Sequence, residues 1–99
     1  MKQFCIILKD YENAQEKRTK SLDAHLAYLR QLKHNDQLIS AGPLMHPEAV
    51  GIEPCGSIFI VNFENEEAVK NWLSQEPFNL AGVYQKIEIY SYLEFINQI

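Results

Sequence analysis

The segment Ser57-Ile58-Phe59-Ile60-Val61-Asn62-Phe63 constrains the fold more than any other in this chain. Bulky apolar residues occupy both parities of a two-residue repeat, with Phe59, Val61 and Phe63 on one side and Ile58 and Ile60 on the other. A strand patterned this way must be covered on both faces. Helices inside the chain can supply one cover. From Glu16 to Lys33 the leucines fall at 22, 26, 29 and 32, which is helical spacing and predicts a helix over roughly Ala14 to Asn35. A second helix follows the strand, capped by Asn65, with Glu66 and Glu67 in its first turn and Ala68, Val69, Trp72 and Leu73 as its buried face.

The remaining segments complete the order. Phe4 to Leu8 is a short apolar run that reads as a first strand, and Lys9 to Asn13 is a polar connection. Leu38-Ile39-Ser40-Ala41 reads as a second strand stopped by Gly42-Pro43, and residues 43 to 56 form a long loop rich in proline and glycine. Pro77 ends the second helical region. From Val83 onward an alternating stretch predicts a last strand, with Tyr84, Tyr90 and Tyr92 together on one side. The order β-α-β-β-α-β predicts an α+β, ferredoxin-like domain, with a four-stranded antiparallel sheet carrying both helices on one face. The other face, with Ile58, Ile60 and the tyrosines, then calls for a second subunit packed sheet against sheet, so a homodimer is expected.

Composition narrows the partners. The net charge of −4, with only the short basic run Lys17-Arg18-Thr19-Lys20, argues against nucleic acid. No apolar stretch approaches the ~20 residues that span a bilayer, so no membrane partner is expected. The first nine residues turn polar too soon for a signal peptide. Cys5 and Cys55 have neither paired-thiol nor zinc spacing, which fits reduced thiols in a cytoplasmic protein. No glycine-rich phosphate loop and no histidine pair at ligand spacing occurs, so neither a cofactor nor a metal is expected.

His25 is the main chemical candidate. It stands three residues after Leu22 and four before Leu29, on the apolar stripe of the first helix. A ring with an ordinary pKa of ~6.5 in such a setting is raw material for a general acid or base. A lone core-facing histidine is also a common hydrogen-bonded structural residue. Arg18 lies two turns earlier on the same side, where it is either a bidentate carboxylate binder or an exposed cation. Ser21, four residues before His25, reads as polar lining or plain helix surface. Gly42-Pro43 serves backbone geometry or a close approach of bare backbone to a ligand. His34 reads as a favourable cation at the end of the helix, His46 as a loop residue, and Asp36 as a turn former.

The chain resembles the YciI-like, or YCII-related, family of the dimeric α+β barrel superfamily. The resemblance is carried by Arg18, His25-Leu26, Ala41-Gly42-Pro43, Gly56-Ser57, Glu76-Pro77-Phe78 and Ala81-Gly82-Val83, in that order along nearly the whole length. It implies one domain over residues 1–99, a cytoplasmic homodimer, and a cleft between helices and sheet in which a His–carboxylate pair forms the site. On this chain the pair is His25 and Glu76, with Arg18, Ser21, Gly42, Pro43 and Phe78 around a small-molecule ligand. The family pattern has Asp-Pro-aromatic where this chain has Glu76-Pro77-Phe78, so the carboxylate arm is one methylene longer. The implied function is a cofactor-free lyase or isomerase, akin to dehydrochlorinases and muconolactone isomerases, moving a proton on a small carboxylated or phenolic metabolite. The alternative is a module that binds such a metabolite without chemistry.

Overall fold

The computed structural model describes residues 1–95; positions 96–99, the end of the expected 1–99 unit, lie outside the described residues. The chain runs β1 (Lys2–Asp10), α1 (Gln15–His34), β2 (Leu38–Met45), β3 (Pro54–Phe63), α2 (Glu66–Ser74), α3 (Pro77–Leu80) and β4 (Tyr84–Ser91). The strands form one sheet in the order β2-β3-β1-β4, with every neighbouring pair antiparallel. This is the ferredoxin-like α+β fold.

The core lies between the sheet and the helices. Phe4, Ile6 and Leu8 of β1 and Phe59, Val61 and Phe63 of β3 pack with Leu29 and Leu32 of α1 and Val69 and Leu73 of α2. The opposite face carries Cys5, Ile7, Ile58 and Ile60, all only partly buried. Pairing sets Cys5 between Ile60 and Tyr90, and Ile7 opposite Ile58. Asn65 caps α2 through a 2.9 Å bond from the Ala68 amide to its Oδ1, as its position before two glutamates predicts. Asp36 follows α1 with a φ of 59°, the left-handed geometry in which aspartate ends a helix and turns the chain. No helix among the described residues is long and apolar enough to cross a membrane.

Three expectations need correction. The second strand does not stop at Gly42-Pro43: β2 runs through both to Met45, because on this edge of the sheet proline has no ladder bond to lose on its solvent side. The long loop therefore shrinks to residues 46–53. Pro77 ends one helical segment but also begins another, since it fits the first position of α3, with Glu76 as the N-cap. Tyr84 does not share the outer face with Tyr90 and Tyr92. Lys9 pairs with Lys86 and Asp10 with Tyr84, so Gln85 is an extra residue in β4 and the alternation reverses. The bulge turns Tyr84 inward, where it is buried, while Tyr90 and Tyr92 remain exposed.

Gly56 shows how closely β1 and β3 approach on the side of the site. A Cβ there would collide with the Leu8 carbonyl oxygen, so only glycine allows this spacing.

Candidate functional site

The site is assembled from the turn that joins α2 to α3. Glu76 is an N-cap in extended conformation, φ −68° and ψ 127°, and Pro77 follows at the first helical position. The carboxylate bends back so that Oε2 accepts from the amide of Phe78. That bond fixes one oxygen and leaves the other, Oε1, facing α1. The added methylene of glutamate is absorbed within this cap, so the longer arm still reaches its partner.

Oε1 accepts from His25 Nδ1 at 2.8 Å and from the Tyr84 hydroxyl at 3.0 Å. Glu76 is 0 % exposed and His25 7 %. An ionised carboxylate only accepts, so the network assigns the imidazole proton to Nδ1 and leaves the Nε2 lone pair free. Nε2 makes no hydrogen bond among the described residues, and no fully buried polar side-chain atom there lacks a partner. The ring lies flat on Phe78, with centroids 3.7 Å apart and planes 5° from parallel. Packing and hydrogen bonding together hold one orientation of the imidazole. Burial, and after it the negative charge of Glu76, push the Tyr84 phenol well above the usual tyrosine range.

Gly82 brings Tyr84 to this position. Its φ of 77° provides the left-handed residue just past the end of α3, and the Val83 amide returns to the Phe78 carbonyl at 3.0 Å. The chain thus reverses into β4 directly beneath its own cap.

Arg18 is buried, at 7 % exposure, rather than an exposed cation of a basic run. Its Nε and Nη2 bond to Asp10 Oδ2 and Oδ1 at 2.6 and 3.0 Å, a bidentate pair. Nη2 also reaches the Gly56 carbonyl at 2.8 Å and Ser57 Oγ at 3.0 Å. The guanidinium carbon sits 5.0 Å from the centre of the Phe78 ring. Nη1 has no partner among the described residues, so its two N–H groups remain available.

A cavity of about 190 Å³ opens beside these groups. From α1 it is lined by Arg18, Leu22, His25, Leu26 and Leu29, and its other wall includes Gly42, Pro43, Ser57, Phe59 and Phe78. Of the residues expected around a ligand, Arg18, His25, Gly42, Pro43 and Phe78 thus share one cavity, and Glu76 stands behind His25. Ser21 does not line it: the lining positions 18, 22, 25 and 29 form the helix row that faces β2, and Ser21 falls off that row. His34 is in the last turn of α1, and His46 accepts from the Glu48 amide in the loop; both are away from the cavity.

Sequence reasoning missed Asp10, Ser57 and Tyr84. Ser57 carried a signal only as part of the Gly56-Ser57 landmark of the family pattern, without a role. Asp10 and Tyr84 carried none, since their roles depend on the β4 bulge and on the way α1 crosses the sheet.

Comparison with known proteins places the chain in a family. The model of the YCII-related domain matches residues 2–95. An uncharacterized protein of Haemophilus influenzae is 37% identical over 89 residues, covering 85% of this chain and 89% of its own. Protein YciI of Escherichia coli O6:H1 is 34% identical over 91 residues, covering 87% and 91%. Among solved structures, the 5-chloro-2-hydroxyhydroquinone dehydrochlorinase of Burkholderia phenoliruptrix AC1100, in complex with 2,5-dihydroxybenzoquinone, superposes with a TM-score of 0.86 at 26% identity, over 96% of this chain and 97% of that one. By domain match, by relatives along most of its length and by fold, this chain belongs to the YCII-related domain family.

Proposed function

We propose that this protein is a cofactor-free proton-transfer enzyme of the lyase or isomerase type, acting on a small carboxylated or phenolic molecule. The observation that carries the reading is the 2.8 Å contact between His25 Nδ1 and the fully buried Glu76, which leaves Nε2 free at the edge of a cavity. In this reading the Nε2 lone pair takes a proton from a substrate C–H or O–H bond, and Glu76 stabilises the imidazolium that forms. The electron pair left on the substrate moves into a new double bond. In a lyase it expels a leaving anion from the neighbouring carbon; in an isomerase His25 returns the proton to a different carbon.

Arg18 Nη1 anchors the anionic group of the substrate, and Leu22, Leu26, Pro43 and Phe59 hold its apolar body. A space of about 190 Å³ suits a single substituted ring. The similarity to a dehydrochlorinase that was solved with a hydroxylated quinone supports this class of substrate and the elimination form of the reaction. The working unit is a homodimer that covers Cys5, Ile7, Ile58, Ile60 and Tyr90. Light scattering should therefore give twice the 11.5 kDa mass of one chain.

The direct test is to incubate the protein in D2O with a panel of single-ring phenols, hydroquinones and carboxylates, following C–H exchange and product formation by NMR. A positive compound should react about 10²–10⁴-fold more slowly with His25→Ala, the usual contribution of a general base. Compounds that perturb cavity resonances but never exchange or react would replace the enzyme with a binding module.

A further inference from the structure

The reading of His25 as a proton carrier leaves one buried group next to it unassigned. Tyr84 is buried, and its hydroxyl donates at 3.0 Å to Glu76 Oε1, the same oxygen that accepts from His25 Nδ1. A carboxylate held only for orientation is already fixed by the Phe78 amide at Oε2 and by the imidazole at Oε1. The third donor changes the charge that the imidazole experiences.

We propose that Tyr84 is a positioning residue of the His25–Glu76 pair, whose hydroxyl withdraws charge from the shared oxygen and so sets the pH at which Nε2 changes from base to acid. The proposal rests on the proton-transfer reading of His25. A strong, unshared carboxylate beside an imidazole favours its protonated form, and then Nε2 holds its proton and cannot act as a base near neutral pH. Each additional donor to the carboxylate spreads its charge and weakens that pull. Sharing one oxygen between a ring N–H and a phenol tempers the pair without removing the anion that steadies the imidazolium.

The surroundings favour Tyr84 in this role. From α1, Tyr28 is directed elsewhere, its hydroxyl donating to the Trp72 carbonyl at 2.7 Å, and Arg18 is committed to Asp10 of β1 and to Gly56 and Ser57 of β3. β2 contains no titratable side chain, and of the α2 charges Glu66 and Lys70 pair with each other on the surface while Glu67 is exposed in the first turn. From β4, Tyr84 alone reaches Glu76. Because burial and the Glu76 charge keep the phenol protonated, Tyr84 stays a donor across the working range of pH.

The experiment is an NMR pH titration of the full chain with ¹⁵N-labelled histidine, resolving His25 from His34 and His46. Four samples are compared: the unmodified protein, Tyr84→Phe, Glu76→Gln, and protein in which 3-fluorotyrosine, a more acidic donor, replaces the tyrosines. Tyr84→Phe should raise the proton-uptake midpoint of His25 by about half to one pH unit, a fraction of the 1–3 units by which neighbouring charges move a titrating group. Fluorotyrosine should lower it, and Glu76→Gln should lower it further. A purely structural tyrosine would not give shifts of opposite sign from the first and the last of these tyrosine changes. The fluorotyrosine sample keeps every atom of the hydroxyl network, so it remains informative if Tyr84→Phe folds poorly. If Glu76→Gln moves His25 and neither tyrosine change does, Tyr84 is only structural and the pair stands without it. If Glu76→Gln leaves His25 unmoved, the pair itself is refuted, and this proposal falls with it.

Discussion

The buried Arg18–Asp10 pair makes the sharpest prediction about stability. Side-chain exposures of 8% and 4% place both charges out of water. Arg18 commits Nε and Nη2 to Asp10, so Asp10→Ala removes two charge-assisted bonds and leaves a buried guanidinium with only neutral acceptors, Gly56 and Ser57. Breaking a buried pair by removing one partner costs about 3–5 kcal/mol, chiefly because of the charge left uncompensated. Taking about 4 kcal/mol and a urea slope of roughly 1.5 kcal/mol/M, the unfolding midpoint should fall by roughly 2–3 M. A domain with a total stability of about 5–15 kcal/mol survives such a loss in water. The reasoning also fixes an order. Arg18→Met together with Asp10→Ala should cost less than Asp10→Ala alone, because the second substitution removes the unpaired charge. Urea denaturation at one protein concentration, followed by tryptophan fluorescence, measures all the variants. A double variant less stable than Asp10→Ala would refute the account, since the arginine would then be stabilising the fold through its packing on Phe78 instead of depending on the aspartate.

Two further outcomes follow from individual residues. Gly56→Ala should destabilise by about 1–3 kcal/mol through overpacking against the Leu8 carbonyl, whereas Gly42→Ala, with nothing within 4 Å of its new methyl group, should leave the melting temperature nearly unchanged; equal losses at both positions in a thermal melt would contradict the close β1–β3 approach. Tyr84 makes stability fall at alkaline pH. Its folded pKa is raised, first by burial and then by Glu76, so the stabilisation is complete below the unfolded value of about 10 and is lost above it as the unfolded chain ionises, by about 1.4 kcal/mol per pH unit. Denaturation midpoints measured between about pH 9 and 11.5 should fall more steeply for the unmodified protein than for Tyr84→Phe; parallel slopes would mean that the phenol is not the group responsible.

Much of the fold is legible in the chain because it depends on neighbours close in sequence. The leucine spacing of α1, the short apolar run of β1, the two-sided apolar pattern of β3 and the Asn65 cap are local patterns, and the structure forms those elements where the patterns lie. The two-sided apolar strand at 57–63 requires a central place in the sheet, and β3 does lie between β2 and β1. His25 is legible as a buried histidine from its place on the helical stripe alone. Its partner is not, because Glu76 lies 51 residues away and is reached only through the family pattern.

What tertiary structure alone decides lies where distant segments meet. One extra residue, Gln85, reverses the facing of Tyr84 and turns a tyrosine expected on the outer sheet face into a hydrogen-bond donor to Glu76. Arg18 reads as either a bidentate carboxylate binder or an exposed cation of a basic run, and it is the crossing of α1 over the end of β1 that decides, burying it in a bidentate pair with Asp10. Periodicity is a property of one segment and survives in a linear reading. Register, bulges and the pairing of buried charges are properties of two segments packed together, so the elements are written in the sequence, and the chemistry among Asp10, Arg18, His25, Glu76 and Tyr84 arises only when they are brought into contact.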